Sequence, residues 1–281
     1  MLLGASSFAA TMGELESHVH SVELYIPKLG VYEGNQLQQD RLECILDELS
    51  TCDLTTSIHA PYYADVDTYP KGLVLDTADM GRSHFRLMEE SIELASLLGS
   101  AAVVIHPGRI QQDREHSFRK MVENLRRLAA FASERDVMLG LENKEGTDPG
   151  NLCCNAGELL KAVHEVDSPH LGITFDVGHA NLTMRGDPVS LRHFAKSIAD
   201  EVVHVHLHDN NGQWTSDYSG DVHMAPGHGS VDYSVLSELV GYDGIYNLEV
   251  FSLDDVITGK KQIQEIFGRG SSLEDFRNVK P

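Results

Sequence analysis

Six apolar runs in this chain end in a side chain that can bind a cation or move a proton, and the clearest is LGITFDVGHAN, residues 171–181. Leu171, Ile173 and Phe175 read as a strand buried on both faces. Asp176 stands at its end and His179 three residues on, with Gly178 allowing a sharp turn between them. A carboxylate at the tip of a buried strand is costly unless something pairs with it. A divalent cation is the partner that also uses a nearby imidazole. The same pattern gives His59, His106, Glu142, Asp176, His206 and Glu249 at the ends of six successive strands. His179 follows the Asp176 strand, and the loop after the His206 strand adds Asp221 and His223 in a D-x-H spacing. Any one strand-end histidine is commonly a hydrogen-bonded structural group. Together, buried carboxylates and imidazoles in such excess over Lys and Arg need shared cations.

Those tips need a scaffold that brings strand ends to one place. Strands are expected at Leu2–Ser6, Val22–Ile26, Leu54–His59, 101–106, Val137–Glu142, Leu171–Asp176, Val202–Leu207 and Ile245–Val250. Between them fall helical patterns. One covers Thr11–Ser21, and a second carries Leu42, Ile45, Leu46 and Leu49 at i, i+3, i+4, i+7. Others follow around Phe85–Ala95, Phe118–Leu128, Leu159–Val163, Pro188–Ala199 and Val235–Leu239, and over Leu253–Phe267. Eight strands alternating with eight helices is an α/β pattern, that of a TIM (β/α)8 barrel. The expected layout is one domain over 1–268, active site at the C-terminal mouth of the strands, and a polar tail over 269–281. In this fold catalytic groups come from strand ends and the loops behind them.

The chain carries 22 Lys and Arg against 43 Asp and Glu, a formal net charge of −21. Such a surface repels polyanions, so nucleic acid is the disfavoured partner and a small molecule the favoured one. Four cysteines, Cys44, Cys52, Cys153 and Cys154, lack zinc-knuckle spacing and read as reduced thiols of a cytoplasmic protein. No signal-peptide pattern and no long apolar run points to a membrane. An oligomer is compatible with everything in the composition.

The segments IHAPY, IHPG, LENK, FDVGHAN, VHLHDN, DVHMAPGHG and LEVF resemble, in order, the xylose isomerase-like TIM-barrel superfamily. That group includes sugar and sugar-phosphate isomerases and epimerases, and also endonuclease IV, a zinc-dependent nuclease of abasic DNA. The resemblance implies that Glu142, Asp176, His206 and Glu249 hold one Zn, Mn, Mg or Co ion. Read against endonuclease IV, it implies up to three ions per chain. The second then sits with His59, His106 and shared Glu142, the third with His179, Asp221 and His223.

On the isomerase side, Glu142 and Glu249 become base and acid, and His179 orients the substrate oxygen. The reaction runs through a metal-stabilised enediolate of a sugar or sugar phosphate. Asp209 is the expected partner orienting His206. Lys144, Arg109 and Trp214 are the expected substrate contacts, and backbone amides of Gly227–Gly229 a landing place for a phosphate. On the hydrolase side, an endonuclease IV-like phosphodiesterase needs positive charge around the mouth. The loop 208–231 holds no Lys or Arg, and Val222 stands between Asp221 and His223 where the nuclease has arginine. A third reading is a catalytically silent metal-binding barrel.

Overall fold

Eight parallel strands close on themselves: β1 (Leu2–Ser6), β2 (Ser21–Tyr25), β3 (Thr55–His59), β4 (Val103–Ile105), β5 (Leu139–Glu142), β6 (Leu171–Asp176), β7 (Val202–Leu207) and β8 (Ile245–Leu248). Each pairs with its sequence neighbours, and β1 closes the ring against β8, Leu2 opposite Ile245 and Ala5 opposite Leu248. The computed structural model describes residues 1–33, 36–62 and 75–268. The expected tail 269–281 and the loop residues Gly34, Tyr63, Tyr69 and Pro70 lie outside the described residues. The α/β barrel expected from the sequence is the fold observed.

Outside the strands run α1 (Met12–Glu16), α2 (Gln39–Ser50), α3 (Arg82–Leu98), α4 (Arg114–Ser133), α5 (Ala156–Val166), α6 (Val177–Thr183), α7 (Pro188–Ile198) and α8 (Leu253–Gly268). α4 shows why these segments are helical. Asp113 caps it by accepting from the His116 amide, and Phe118, Met121, Val122, Leu125 and Leu128 form one buried stripe. Burying each such side chain stabilises by about 1.5–3 kcal/mol. The outward-facing strand residues supply the other half of that contact, as where Phe175 of β6 stacks on Phe194 of α7 with centroids 5.7 Å apart. α3 stops at Gly99, whose φ of 61° a side chain would resist.

Three elements differ from expectation. α1 ends at Glu16 rather than near Ser21, because the His20 amide is already bonded to Leu3 O at 2.8 Å and draws the chain into β2. The Val235–Leu239 helix is a 3-10 turn over Tyr233–Glu238, in a connection too short for α-helical turns. Gly178 makes no sharp turn either, since α6 begins directly after Asp176 and Gly178 lies inside it. Among the described residues no helix is long and apolar enough to cross a membrane. The four thiols are unpaired, and Cys153 and Cys154 are buried.

TIM-barrel interiors are usually filled by branched apolar layers. This one is polar at mid-height, where Ser6, Glu23, Ser57, Thr174, His204 and Asn247 are all buried. Above that layer lies the mouth.

Candidate metal centre

Four groups converge at the floor of the mouth. Asp176 and His206 are register partners across β6 and β7, above a bulge between Ile173 and Thr174. Glu142 ends β5, and Glu249 follows β8 with its amide still bonded to Leu207 O at 3.0 Å. His206 Nδ1 lies 3.3 Å from Glu249 Oε2, 3.8 Å from Asp176 Oδ2 and 4.0 Å from Glu142 Oε2. All four atoms are buried, and among the described residues none has a hydrogen-bond partner. Three carboxylate oxygens facing one imidazole nitrogen without donors is an arrangement that only a shared cation or proton makes tolerable. The donor set, one N and three O, suits a divalent ion.

Two further groups flank this centre. His106 Nε2 lies 3.0 Å and His59 Nε2 3.8 Å from Glu142 Oε2. On the other side, His179 Nε2 is 3.5 Å from Asp221 Oδ2, and His223 Nε2 is 3.2 Å from Asp221 Oδ1. A shared device orients these rings. His59 Nδ1 bonds Ala60 O at 2.9 Å, His179 Nδ1 bonds Asn143 O at 3.0 Å, and His223 Nδ1 bonds Glu249 O at 2.8 Å. A backbone carbonyl takes only a proton, so each contact places N–H on Nδ1 and, in the neutral ring, leaves Nε2 as the atom free to bind a cation in the site. The spacing of His59, His106 and Glu142, of His179, Asp221 and His223, and of Glu142, Asp176 and His206 could each hold an ion, while Glu249 groups with Asp176 and His208.

The electrostatics agree. Burial opposes ionisation of Glu142, yet His106, His179 and His206 hold its carboxyl well below the usual range. Burial also opposes charge on His206, but Glu23 and Glu249 raise its pKa well above the ordinary value. His179 is raised too, with Asp176 and Asp221 outweighing its burial. His106 goes the other way, lowered to about 4 by burial that Glu142 does not offset.

The nine expected ligands thus come together. Lys144 lines the cavity above them and is held by Glu145 Oε2 at 3.0 Å. That cavity measures about 340 Å³ and is walled by Phe8, Tyr25, Tyr62 and Phe251, with Lys28 as the other lysine among its described lining residues.

Other expectations need correcting. Asp209 does not touch His206; its carboxylate accepts from the amides of Asn210, Gly227 and Val231 at 2.9–3.0 Å and so shapes the loop. Gly227 N is therefore committed and offers no phosphate site. Arg109 is bound to Asp148 at 2.6 Å and Asn151 at 2.9 Å, apart from the cavity lining. Trp214 is a loop anchor, donating to Leu182 O at 3.2 Å under the Arg185 guanidinium.

Three further contributors complete the site. Glu23 in β2 bonds His206 Nε2 at 3.0 Å. Asn143 clamps β5 to β6 through both the N–H and C=O of Asp176, each at 2.9 Å. His208 is fully buried, bonds Asp176 Oδ1 at 3.1 Å and stacks on His223 with centroids 3.9 Å apart. His208 also explains Gly178, where an added Cβ would fall 2.2 Å from His208 Cε1. Gly178→Ala is expected to cost about 1–3 kcal/mol by overpacking. The check is urea denaturation, together with reduced metal retention as His208 leaves Asp176.

Fold and site define a TIM barrel with a cluster of buried histidines and carboxylates at its mouth. Residues 9–268 match the xylose isomerase-like TIM barrel family, and the chain belongs to it. It is 33% identical over 185 residues to an uncharacterised protein of Methanocaldococcus jannaschii, covering 63% of this chain and 60% of that one. The chain spans between 46% and 63% of the curated relatives it matches, among them a D-psicose 3-epimerase of Enterocloster bolteae. A solved D-tagatose 3-epimerase-like protein superposes with TM-score 0.78 at 25% identity, covering 96% of this chain and 98% of that one. Endonuclease IV of Thermus thermophilus shares the fold, with TM-score 0.69 at 18% identity over 96% of this chain and 100% of that one.

Proposed function

We propose that the protein is a divalent-metal-dependent isomerase or epimerase acting on a sugar or sugar phosphate. The supporting observation is the placement of Glu142 and Glu249. Both carboxylates present an unpartnered oxygen toward His206 Nδ1 at the floor of a small, aromatic-walled cavity. Glu142, Asp176, His206 and Glu249 would hold the ion. When bound, it would polarise an α-hydroxy-carbonyl group and acidify the neighbouring C–H.

The chain's own groups do the rest. One of the two glutamates takes the carbon-bound proton at its carboxylate, and the other returns a proton from across the cavity. His179, which lines the cavity, orients a substrate oxygen through Nε2. Phe8, Tyr25, Tyr62 and Phe251 offer faces for the apolar side of a sugar ring and keep water from the site. Among the described residues, Lys144 and Lys28 are the lysines lining the cavity for an anionic substituent.

A second reading, a multi-metal phosphodiesterase, is favoured by the His59–His106–Glu142 and His179–Asp221–His223 groups. The absence of Lys and Arg from 208–231 opposes it. The test is a pair of assays on metal-loaded protein, solvent-deuterium exchange into ketoses and ketose phosphates against incision of an abasic duplex. Exchange or epimerisation without incision is expected. Incision with no exchange into any ketose would reverse the ranking.

A further inference from the structure

We propose that Glu23 is the positioning residue that fixes the His206 tautomer and so makes Nδ1 of that ring the metal-binding atom. This rests on the metal-dependent reading above.

Glu23 lies in the middle of β2, fully buried, one layer below the mouth. Among the described residues, every polar side chain bonded to it brings a donor or a ring nitrogen. Asn247 Nδ2 donates to Oε1 at 3.1 Å and Ser6 Oγ approaches the same oxygen at 3.5 Å. Oε2 receives His204 Nε2 at 2.9 Å, His206 Nε2 at 3.0 Å and Ser57 Oγ at 3.4 Å. A carboxylate has only lone pairs to offer such a ring of donors, so both histidines meet it with an N–H. For His206 in its neutral form that puts the proton on Nε2 and leaves Nδ1 bare.

Nδ1 then faces Glu249, Asp176 and Glu142, where a proton would occupy the place of the ion. His206 differs here from His59, His179 and His223, whose Nδ1 atoms bond backbone carbonyls. Among the described residues no carbonyl bonds Nδ1 of the His206 ring, and the side chain of Glu23 takes over that work at Nε2, from the far side of the ring. The surrounding polar layer, Ser6, Ser57, His204 and Asn247, holds the carboxylate in place.

Glu23→Gln changes little in size but presents a carboxamide that can turn an N–H toward His206. The ring is then free to carry its proton on Nδ1. Mn2+ affinity, measured by titration calorimetry, is expected to fall about 10–100-fold, with Glu23→Asp between the two. The metal-free melting temperatures of the variants report whether they fold. A direct reading on unaltered protein needs no variant: at a pH high enough for the ring to be neutral, 15N shifts of His206 should show a protonated Nε2 and an unprotonated Nδ1. Equal Mn2+ affinity in wild type and a folded Glu23→Gln, or an Nδ1–H tautomer in wild type, overturns the assignment. Wild-type protein that binds neither Mn2+ nor Zn2+ would instead defeat the metal-dependent function, while the 15N shifts would still decide the tautomer.

Discussion

Glu142→Gln is expected to lower turnover by about 10²–10⁴-fold, the range for loss of a positioned acid or base, and to disturb more than one cation position. Glu142 stands between two of the histidine–carboxylate groups. Its Oε2 faces His106 at 3.0 Å, His59 at 3.8 Å and His206 at 4.0 Å, while Oε1 lies 3.0 Å from His179 Nδ1. Glutamine keeps the volume but replaces one acceptor oxygen by an NH2 that no cation tolerates. The substitution therefore removes the proton-transfer group and weakens ion binding together. Glu249→Gln removes the other glutamate while leaving the His59–His106 position alone, because Glu249 borders the central position and not that one. Metal per folded chain and turnover, measured on both variants, form the check. If Glu142→Gln kept its full metal content and wild-type turnover, Glu142 would be neither ligand nor base.

The strand tips carrying this site were legible because a charged residue stops an apolar run visibly. Asp176 after Ile173 and Phe175, and His206 within an alternating strand, stand out against their flanks. Glu23 was harder to see. In SVELY it alternates with Val22 and Leu24, and such alternation ordinarily marks a strand with one solvated face. Barrel closure turns that face inward, and the overlooked signal was a carboxylate inside a strand of a fold whose strands are buried on both sides.

Gly178 was misread, and the place of His208 left open, for a related reason. Each is explained only by the other, through a contact between segments 30 residues apart that no local pattern encodes. Trp214 and Arg109 failed differently. Both stand next to ligand-bearing segments in the chain, but local partners, Leu182 with Arg185 and Asp148 with Asn151, use up their polar groups. Proximity in sequence to a ligand places a residue near the mouth, and its partners decide whether it faces in.

Stripping metal should lower the melting temperature, and the loss should grow as pH rises from about 6.5 toward 9. At free metal 100-fold above Kd, binding contributes about 2.7 kcal/mol, roughly 5–10 °C for a chain of this size. Without metal, protons partly replace it. Burial works against charge on His223, but Asp221 and Glu249 outweigh it and raise its pKa from 6.5 to about 9. A raised folded-state pKa contributes stability that is complete below the unfolded value and lost as pH climbs through the folded one. The metal-free protein therefore weakens across that window, as His223 gives up the proton that answered Asp221 at 3.2 Å. The loaded protein needs His223 Nε2 bare and competes with that proton, so metal binding releases protons and tightens with rising pH. Both trends widen the gap. Melting curves at matched ionic strength, with metal and with chelator, from pH 6 to 9.5 would measure it. A gap that stayed flat or narrowed toward pH 9 would mean that cations do not replace protons among these histidines and carboxylates.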